Sequence, residues 1–300
     1  MVDGLNRRLY VSSLIAVVIA LAVVRLFALP QWDDDAGPDL PSIVGSLLDS
    51  FLGASLAALG VSLLVLWLFP SGTDNKDEAT IIPPREIGSE LVDSASKATD
   101  WGYRGHTGRY LRTTVLPILE QAANKHGRYV DISVELLDPE NDEAIEFFVN
   151  YRRQVNPDKV DYWTSQRAKI EILATVAALA LASQRSPRLS CSVFLGSSVS
   201  PFTVDMSSSV AIVTRESSSM SALKYPIGSS FFDSVREDLH LSRRQARELP
   251  RLPAGSYGLD TGGAVSTVLD ELDLGREVSL GMIASIVDVI DKPVSPYPHG

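Results

Sequence analysis

Two long apolar runs open the chain, and nothing later in the sequence matches them. Residues 10–29 and 43–69 are almost continuously apolar, with a short acidic segment between them. A helix needs about 20 mostly apolar residues to cross the hydrocarbon core of a bilayer, and both runs reach that length. The pattern therefore predicts a two-helix transmembrane hairpin, with a terminal segment at 1–9 and a loop at 30–42.

Beyond residue 69 the pattern becomes that of an α/β domain. Residues 70–86 have no apolar period and predict an exposed linker. Helical periods then alternate with β-branched runs of period two, which predicts a layered sheet with flanking helices over residues 87–300. Strands are predicted at 101–104, 129–137, 189–195 and 202–214, the last as a hairpin turning near 207–209. Helices are predicted at 87–99, 108–125, 142–153, 168–183, 230–248, 265–274 and 280–290.

Basic residues at the ends of the two apolar runs predict their orientation. Arg7 and Arg8 precede the first run, and Lys76 and Arg85 follow the second, whereas residues 30–42 contain aspartates but no lysine or arginine. Because positively charged loops stay in the cytoplasm, both termini and the α/β domain are predicted to be cytoplasmic, in a multi-pass protein of the cell (inner) membrane. A cleaved signal peptide is the alternative for the first run, although its apolar part exceeds the usual length of about 7–15 residues.

Small and charged residues inside the apolar runs suggest how the helices pack. Small residues at helical spacing let membrane helices approach closely. The predicted packing face of the second helix comprises Gly45, Gly53, Ala57 and Gly60. Arg25 and Asp49 fall at similar depth in an antiparallel hairpin and are predicted to pair within it or between copies. Separate snorkelling of each side chain to the outer interface is the alternative.

Charge and cysteine content narrow the class of protein. The formal net charge of −10 argues against general nucleic-acid binding, which depends on lysine and arginine contacts to phosphates. The single cysteine, Cys191, lies in an apolar run and is predicted to be a buried, reduced thiol. The four histidines are scattered, so no metal site and no cofactor are expected. The partners that remain are the bilayer, further copies of the chain and a small ligand.

Positive charge concentrates just after the first predicted strand of the domain. Residues 103–112 read YRGHTGRYLR, so a strand enters, two glycines permit a tight turn and a helix begins. Helix N-termini attract anions, and arginine pairs well with phosphate. A site for a nucleotide-like or other phosphate-bearing ligand is predicted at Arg104, Gly105, His106, Thr107, Gly108, Arg109 and Arg112. The same residues also suit an ordinary structural turn.

From residue 101 to 248 the chain resembles the phospholipase D-like α/β fold. The resemblance rests on the glycine turn, HGR at 126–128, VDISVELLDP at 130–139, FTVDMSSSVAIVT at 202–214 and GSSFFDSVRED at 228–238. Enzymes of that family attack phosphodiesters with the histidine of a His-x-Lys motif. No histidine here has a lysine two positions on; the four are His106, His126, His240 and His299. The resemblance therefore implies a non-catalytic relative with no catalytic residue.

These features predict a membrane-anchored, non-catalytic sensor or effector. Its cytosolic domain would bind an anionic ligand or a partner and couple that binding to assembly of the transmembrane hairpins in a homo-oligomer. The layout is similar to that of bacterial defence effectors, in which a nucleotide-sensing domain drives membrane-spanning helices. Two other functions stay open: a membrane-bound phosphodiesterase or phospholipase-like enzyme with a diverged site, and a scaffold that anchors a cytosolic partner.

Overall fold

The second apolar run forms one long helix, α1 (Leu40–Leu68). This is seen in a computed structural model, which describes residues 13, 15–28, 40–68, 79–217, 219–250, 261–276 and 278–292. The chain divides into two compact units, Met1–Asn75 and Lys76–Gly300. Within α1, the 19 residues Val44–Ser62 are long and apolar enough to cross a membrane, and only 6% of that segment is buried. An apolar helix with so little burial is compatible with membrane association.

The first predicted span is not confirmed. Residues 15–23 are α-helical and continue into a π-helical segment, Val24–Ala28. In the described part of the chain, α1 alone meets the length and composition needed for a span. The structure therefore contains one candidate span in its described part, and the predicted two-helix hairpin is not confirmed. The predicted terminus at 1–9 and nearly all of the loop at 30–42 lie outside the described residues.

The predicted packing residues of α1 are mostly exposed. Gly53, Ala57 and Gly60 lie at the surface, and a Cβ atom at either glycine would have no neighbour within 4 Å. Gly45 is buried. Asp49 is exposed, and the side chain of Arg25 lies outside the described part, so the pairing of these two residues stays a prediction.

The second unit is an α/β domain with a mixed sheet. Its strands are β1 (Thr80–Ile82), β2 (Asp100–Arg104), β3 (Val130–Leu137), β4 (Leu189–Gly196), β5 (Phe202–Ser207), β6 (Val210–Arg215), β7 (Ala222–Pro226) and β8 (Arg247–Glu248). Its α-helices are α2 (Pro84–Lys97), α3 (Leu116–His126), α4 (Asp142–Val155), α5 (Ser165–Arg185), α6 (Ser230–Gln245), α7 (Thr261–Glu271) and α8 (Leu280–Asp291). A π-helical segment, Leu111–Val115, precedes α3, and a 3-10 helix, Pro157–Tyr162, follows α4.

The eight strands form one sheet in the order β1-β7-β6-β5-β2-β3-β4-β8. The strands β2, β3 and β4 are parallel to one another, and the remaining neighbours are antiparallel. Parallel strands need helical crossovers, and here α3 links β2 to β3 while α4 and α5 link β3 to β4. The carboxyl ends of β2, β3 and β4 therefore meet at one edge of the sheet.

The two faces of the sheet are covered differently. One face, here called the major face, packs with the flanking helices into a large core that includes Trp101, Ile132, Val193 and the apolar residues of α5. The other face is covered by α6 through a small cluster of Val204, Met206, Ala211, Phe232 and Leu239. Much of this second face, here called the α6 face, is polar. Alternation along the strands separates the two sets of side chains.

The predicted layered α/β domain is confirmed, with three local corrections. The predicted linker at 70–86 contains β1 and the start of α2. The sequence did not predict β1 because a three-residue strand is too short to show a period. The predicted helix 230–248 ends at Gln245, and Arg247–Glu248 pair with β4 instead. Strand β7 carries a lysine and ends at a proline, so its sequence gave no strand signal.

Candidate functional site

Backbone hydrogen bonds hold the predicted anion turn against the neighbouring strand. The N–H of Gly105 donates to the carbonyl of Glu135 at 3.1 Å. One step further, the N–H of Leu137 donates to the carbonyl of His106 at 3.0 Å. The turn thus continues the ladder between β2 and β3 before the chain enters the next helix.

Gly108 occupies a position that other residues do not tolerate. Its φ is +64°, and a Cβ atom there would lie 2.7 Å from Cγ2 of Thr175 on α5. The hydroxyl of Thr175 donates to the carbonyl of Thr107 at 2.7 Å, which brings the turn onto that helix. The glycine is therefore needed for a left-handed backbone and for close packing on α5.

Arg112 is buried in an ion pair. Its side chain is 4% exposed, and its Nη2 donates to Oε2 of Glu171 at 2.5 Å. Arg167 donates to the other oxygen of the same carboxylate at 2.6 Å. Burial would raise the pKa of Glu171, but the two guanidinium groups outweigh it and hold that pKa below its ordinary value. Burial lowers the pKa of Arg112. The charge of Arg112 is therefore neutralised inside the protein.

His106 is also committed to an internal partner. The ring is 3% exposed and stacks on Phe148 with centroids 4.5 Å apart. Its Nδ1 lies 2.6 Å from Oε1 of Glu216, and since a carboxylate only accepts, Nδ1 carries the proton. Arg152 pairs with the other oxygen of Glu216. Burial would raise the pKa of Glu216, but His106 and Arg152 together hold it below its ordinary value.

The remaining two cations of the turn also have neighbours in the domain. Arg104 donates to Asp238 of α6 at 2.6 Å, and Arg109 lies over the ring of Tyr162 at 5.6 Å. The structure therefore places the predicted residues together, but three of the four cationic side chains have carboxylate partners. Ligand binding at this turn is not tested by these contacts and stays a prediction.

The acidic partners of the turn could not be found from the sequence. Asp238, Glu216 and Glu171 lie 134, 110 and 59 positions from the residues they pair with. Each comes from a different segment, and only the folded sheet brings them to one edge. A local sequence motif contains the cations of this turn but not the carboxylates that neutralise them, because those carboxylates are distant in sequence.

A second polar site, not anticipated from the sequence, lies on the α6 face. It is a cleft of about 400 Å³ between α6 and the strands β2, β3 and β5, here called the α6 cleft. Its lining residues are Asp100, Trp101, Gly102, Asp131, Ser133, Met206, Ser207, Ser208, Phe232, Arg236, Leu239 and Arg243. Guanidinium groups on α6 face hydroxyl and carboxylate groups on the strands.

Gly102 makes room for Arg243 in this cleft. A Cβ atom at Gly102 would lie 3.0 Å from Nη2 of Arg243 and 3.4 Å from Cδ1 of Leu239. The same Nη2 donates to the carbonyl of Ser133 at 3.0 Å. Burial is the main cause that lowers the pKa of Arg243, with Glu135 acting in the opposite direction. The missing side chain at Gly102 lets a guanidinium lie directly on the sheet.

Several buried polar atoms beside the α6 cleft have no hydrogen-bond partner. They are Nε of Arg243, Nε of Arg104 and Oε2 of Glu135. Glu135 is 6% exposed, and its other oxygen accepts from Ser242 at 2.6 Å. Because most buried polar groups in folded proteins are satisfied, a group of unsatisfied atoms calls for a missing polar partner, either solvent or ligand. The α6 cleft is the candidate site on that basis.

The chemistry of the α6 cleft suits a polar, anion-bearing molecule. Arg236 lies over the ring of Phe232 at 4.6 Å, close to Arg243 along the same helix. Asp100 and Asp131 are direct neighbours in the β2–β3 pair and border the opposite side. Guanidinium groups bind phosphate, and carboxylates accept hydrogen bonds from hydroxyl or amino groups. No group of three or more potential metal ligands occurs among the described residues.

Comparisons with known proteins give little further identification. No family model matches the chain, and no curated protein matches it. A similar solved structure is that of TrmBL2, an archaeal chromatin protein described as showing a novel mode of DNA binding. Its TM-score is 0.34 at 6% sequence identity, and the match covers 69% of this chain and 66% of that one, just under two thirds of its length. At this TM-score the likeness carries no argument about fold or function.

One expectation about partners is corrected by this finding. The sequence excluded general nucleic-acid binding because of the net charge of −10, yet this structural neighbour is a DNA-binding protein. Net charge alone does not support that exclusion. Net charge sums over the whole chain, and it does not rule out a local basic surface such as the arginines of α6.

Proposed function

We propose that this protein is a membrane-anchored binding module without catalytic activity. In this proposal the N-terminal region crosses the membrane as a two-helix hairpin and leaves the α/β domain in the cytoplasm. The domain binds a small anionic ligand, of nucleotide or other phosphate-bearing type, and binding biases assembly of the hairpins. The exposed apolar helix α1 supports the anchor, and the burial of His106 against Phe148 supports a non-catalytic domain.

The observation that supports ligand binding is an arginine in the α6 cleft with an unsatisfied hydrogen-bond donor. Arg243 uses one terminal nitrogen on a backbone carbonyl, while its buried Nε has no partner. Arg236 adds a second guanidinium, which forms an exposed ion pair with Asp233 at 3.2 Å. A phosphate in the cleft would form charge-assisted hydrogen bonds with these guanidinium groups, and bonds of this kind are the strong ones.

Calorimetric titration of the full-length protein in lipid nanodiscs tests this proposal. The probes are inorganic phosphate and a panel of mononucleotides and cyclic dinucleotides. Loss of a charged hydrogen bond is worth about 1.5–3 kcal/mol, so Arg243→Ala should weaken binding about 10- to 100-fold. Arg244→Ala is the matched control, since Arg244 is the next residue on α6, is exposed and does not line the cleft.

Two outcomes would overturn the proposal. The first is the absence of binding across the whole panel by a correctly folded protein. The second is an equal loss for Arg243→Ala and Arg244→Ala, which would indicate diffuse attraction to α6 rather than a site. Arg236→Ala serves as a second variant, because its exposed side chain can be removed with little effect on folding.

A further inference from the structure

We propose that the outer end of the sheet, at β1 and β7, is an interface between two copies of this chain. Apolar side chains gather there on the α6 face and are here called the edge patch. The edge patch comprises Ile81, Leu223, Ile227 and Phe231, which are 67%, 37%, 55% and 50% exposed. Single apolar side chains on a surface are ordinary, whereas a contiguous group of them marks a contact surface.

The edge patch is continuous across three elements. Ile81 of β1 and Leu223 of β7 are direct cross-strand partners, so their side chains lie on the same face. Tyr225 lies two residues along β7 on that face, and its ring stacks on Phe231 of α6 with centroids 5.4 Å apart. The patch thus runs from the sheet edge to the start of the covering helix, where α6 leaves the strands uncovered.

The edge itself is open. Strand β1 is the terminal strand of the sheet, and in the described ranges no strand pairs with its outer side. Such an edge presents unpaired N–H and C=O groups that an extended segment can satisfy. The β1 strand of a second copy can pair with these groups in antiparallel orientation. The two-fold axis then passes near Ile81 and brings the edge patches of the two copies together.

Local charge favours a second copy over the bilayer surface as the occupant. Two ion pairs within one copy neutralise charges near this end of the sheet: Arg236 with Asp233 at 3.2 Å on α6, and Lys224 with Glu90 at 2.5 Å on the opposite face. Two copies therefore do not repel at this point despite the net charge of −10. A negatively charged membrane surface repels an acidic domain, which makes the bilayer the less favourable occupant.

Anchoring in one membrane favours this contact. Copies anchored in one bilayer are confined to its surface, which raises their effective concentration for one another. The inference rests on the membrane anchor of the proposed function and is independent of its ligand.

Cysteine cross-linking in liposomes tests the interface without any ligand. The chain has one cysteine, Cys191, which is 5% exposed and whose pKa burial raises to about 12, so an added surface thiol reacts selectively. Residues directly opposite in an antiparallel pair have Cα atoms about 4.5–5.5 Å apart, within disulfide range. After mild oxidation, Ile81→Cys should give at least ten times more disulfide dimer than Tyr129→Cys.

A control and a second variant distinguish a specific interface from random collision of the copies. Tyr129 is 75% exposed and precedes β3, five strands from β1, or about 24 Å across the sheet. Adding Phe231→Lys to the Ile81→Cys protein should reduce the dimer at least fivefold, because the partner's patch then meets a charge. Carbonate extraction of the liposomes first confirms that the protein is integrated, so a failed anchor is recognised separately.

Three outcomes would overturn the proposal for protein that is integrated. One is equal cross-linking at positions 81 and 129. Another is no dimer for Ile81→Cys while the thiol remains open to maleimide, which leaves the patch uncovered. The third is a thiol protected from maleimide by the liposome without any dimer, which assigns the patch to the bilayer.

Discussion

The turn after β2 and the α6 cleft use the same residue types and reach opposite states. In the turn, Arg112 and His106 are each bound to a buried carboxylate. In the cleft, Arg243 and the neighbouring Glu135 keep buried atoms without partners. The comparison teaches that a cluster of cations along the sequence does not by itself mark an anion site. What matters is whether the fold supplies carboxylates to neutralise them.

The energetic reason lies in the cost of burying charge. A buried ion without a partner is very unfavourable, so a fold that buries arginine must also deliver an acid. Helix α5 delivers Glu171 to Arg112, and the segment after β6 delivers Glu216 to His106. Arg243 avoids that cost by lying half-buried at a cleft that solvent or a ligand can enter.

The largest effect is expected from Glu171→Gln, which breaks the ion pair of the turn. Glu171 is fully buried and binds Arg112 and Arg167, so its loss leaves a buried guanidinium without a counter-charge. Removing one partner of a buried pair costs about 3–5 kcal/mol of unfolding free energy. Urea denaturation of the protein in nanodiscs, followed by tryptophan fluorescence, measures the change.

Glu120→Gln is the matched control for that measurement. Its ion pair with Arg185, at 2.8 Å, lies at the surface, with the arginine 58% exposed. Exposed pairs contribute about 0–1 kcal/mol. If the two substitutions cost the same, the turn is not held by its buried charges, and the contrast with the cleft fails.

A second prediction concerns a buried acid that has no cation. Asp205 on β5 is 4% exposed, and burial raises its pKa from 3.8 to about 7 against a smaller opposing effect of the Trp101 indole. The native state therefore keeps a proton that the unfolded state loses above about pH 4, so this group makes stability fall as pH rises from about 4 to 7. Such a shift corresponds to about 4 kcal/mol at most.

Asp205→Asn should remove this loss. The variant should gain stability relative to the parent as pH rises through that window and keep a constant advantage above about pH 7. The paired acids Glu171 and Glu216 act oppositely, because their lowered pKa values make stability fall only in acid, below about 4.5. Exposed Asp131→Asn is the control, and an unchanged profile for Asp205→Asn would show that burial does not raise the pKa of this acid.

The sequence predicted the layers of the fold well because periodicity reports burial. The alternating apolar residues of β3 and the apolar residues of α5 lie in the core as their patterns indicate. It missed β1 and β7, which pair with each other across 140 positions and are too short or too polar to show a period. The first of the two predicted spans stays unconfirmed, since its described residues do not form a helix long and apolar enough to cross a membrane.

The candidate site was less predictable for a different reason. Gly108 was correctly placed in a tight turn, because glycine readily adopts the left-handed backbone conformation that the turn requires. The α6 cleft has no local motif, since it joins Gly102, Ser133 and Arg243 from three distant segments. Satisfaction of polar atoms is a property of the folded state, so no pattern in the sequence can separate a neutralised arginine from an unsatisfied one.

The smallest effects on stability are expected from substituting one glycine in the turn and one in the α6 cleft. These two substitutions also test the comparison most directly. Gly108→Ala meets both a φ of +64° and a contact of 2.7 Å with Thr175, so it should cost about 2 kcal/mol of stability. Gly102→Ala meets the flexible end of Arg243 at 3.0 Å, and should change stability by less than about 0.5 kcal/mol while weakening phosphate binding. Urea denaturation and calorimetric titration on both variants measure the two effects. A stability loss at Gly102 as large as that at Gly108 would contradict the comparison, because it would make the cleft as rigidly packed as the turn.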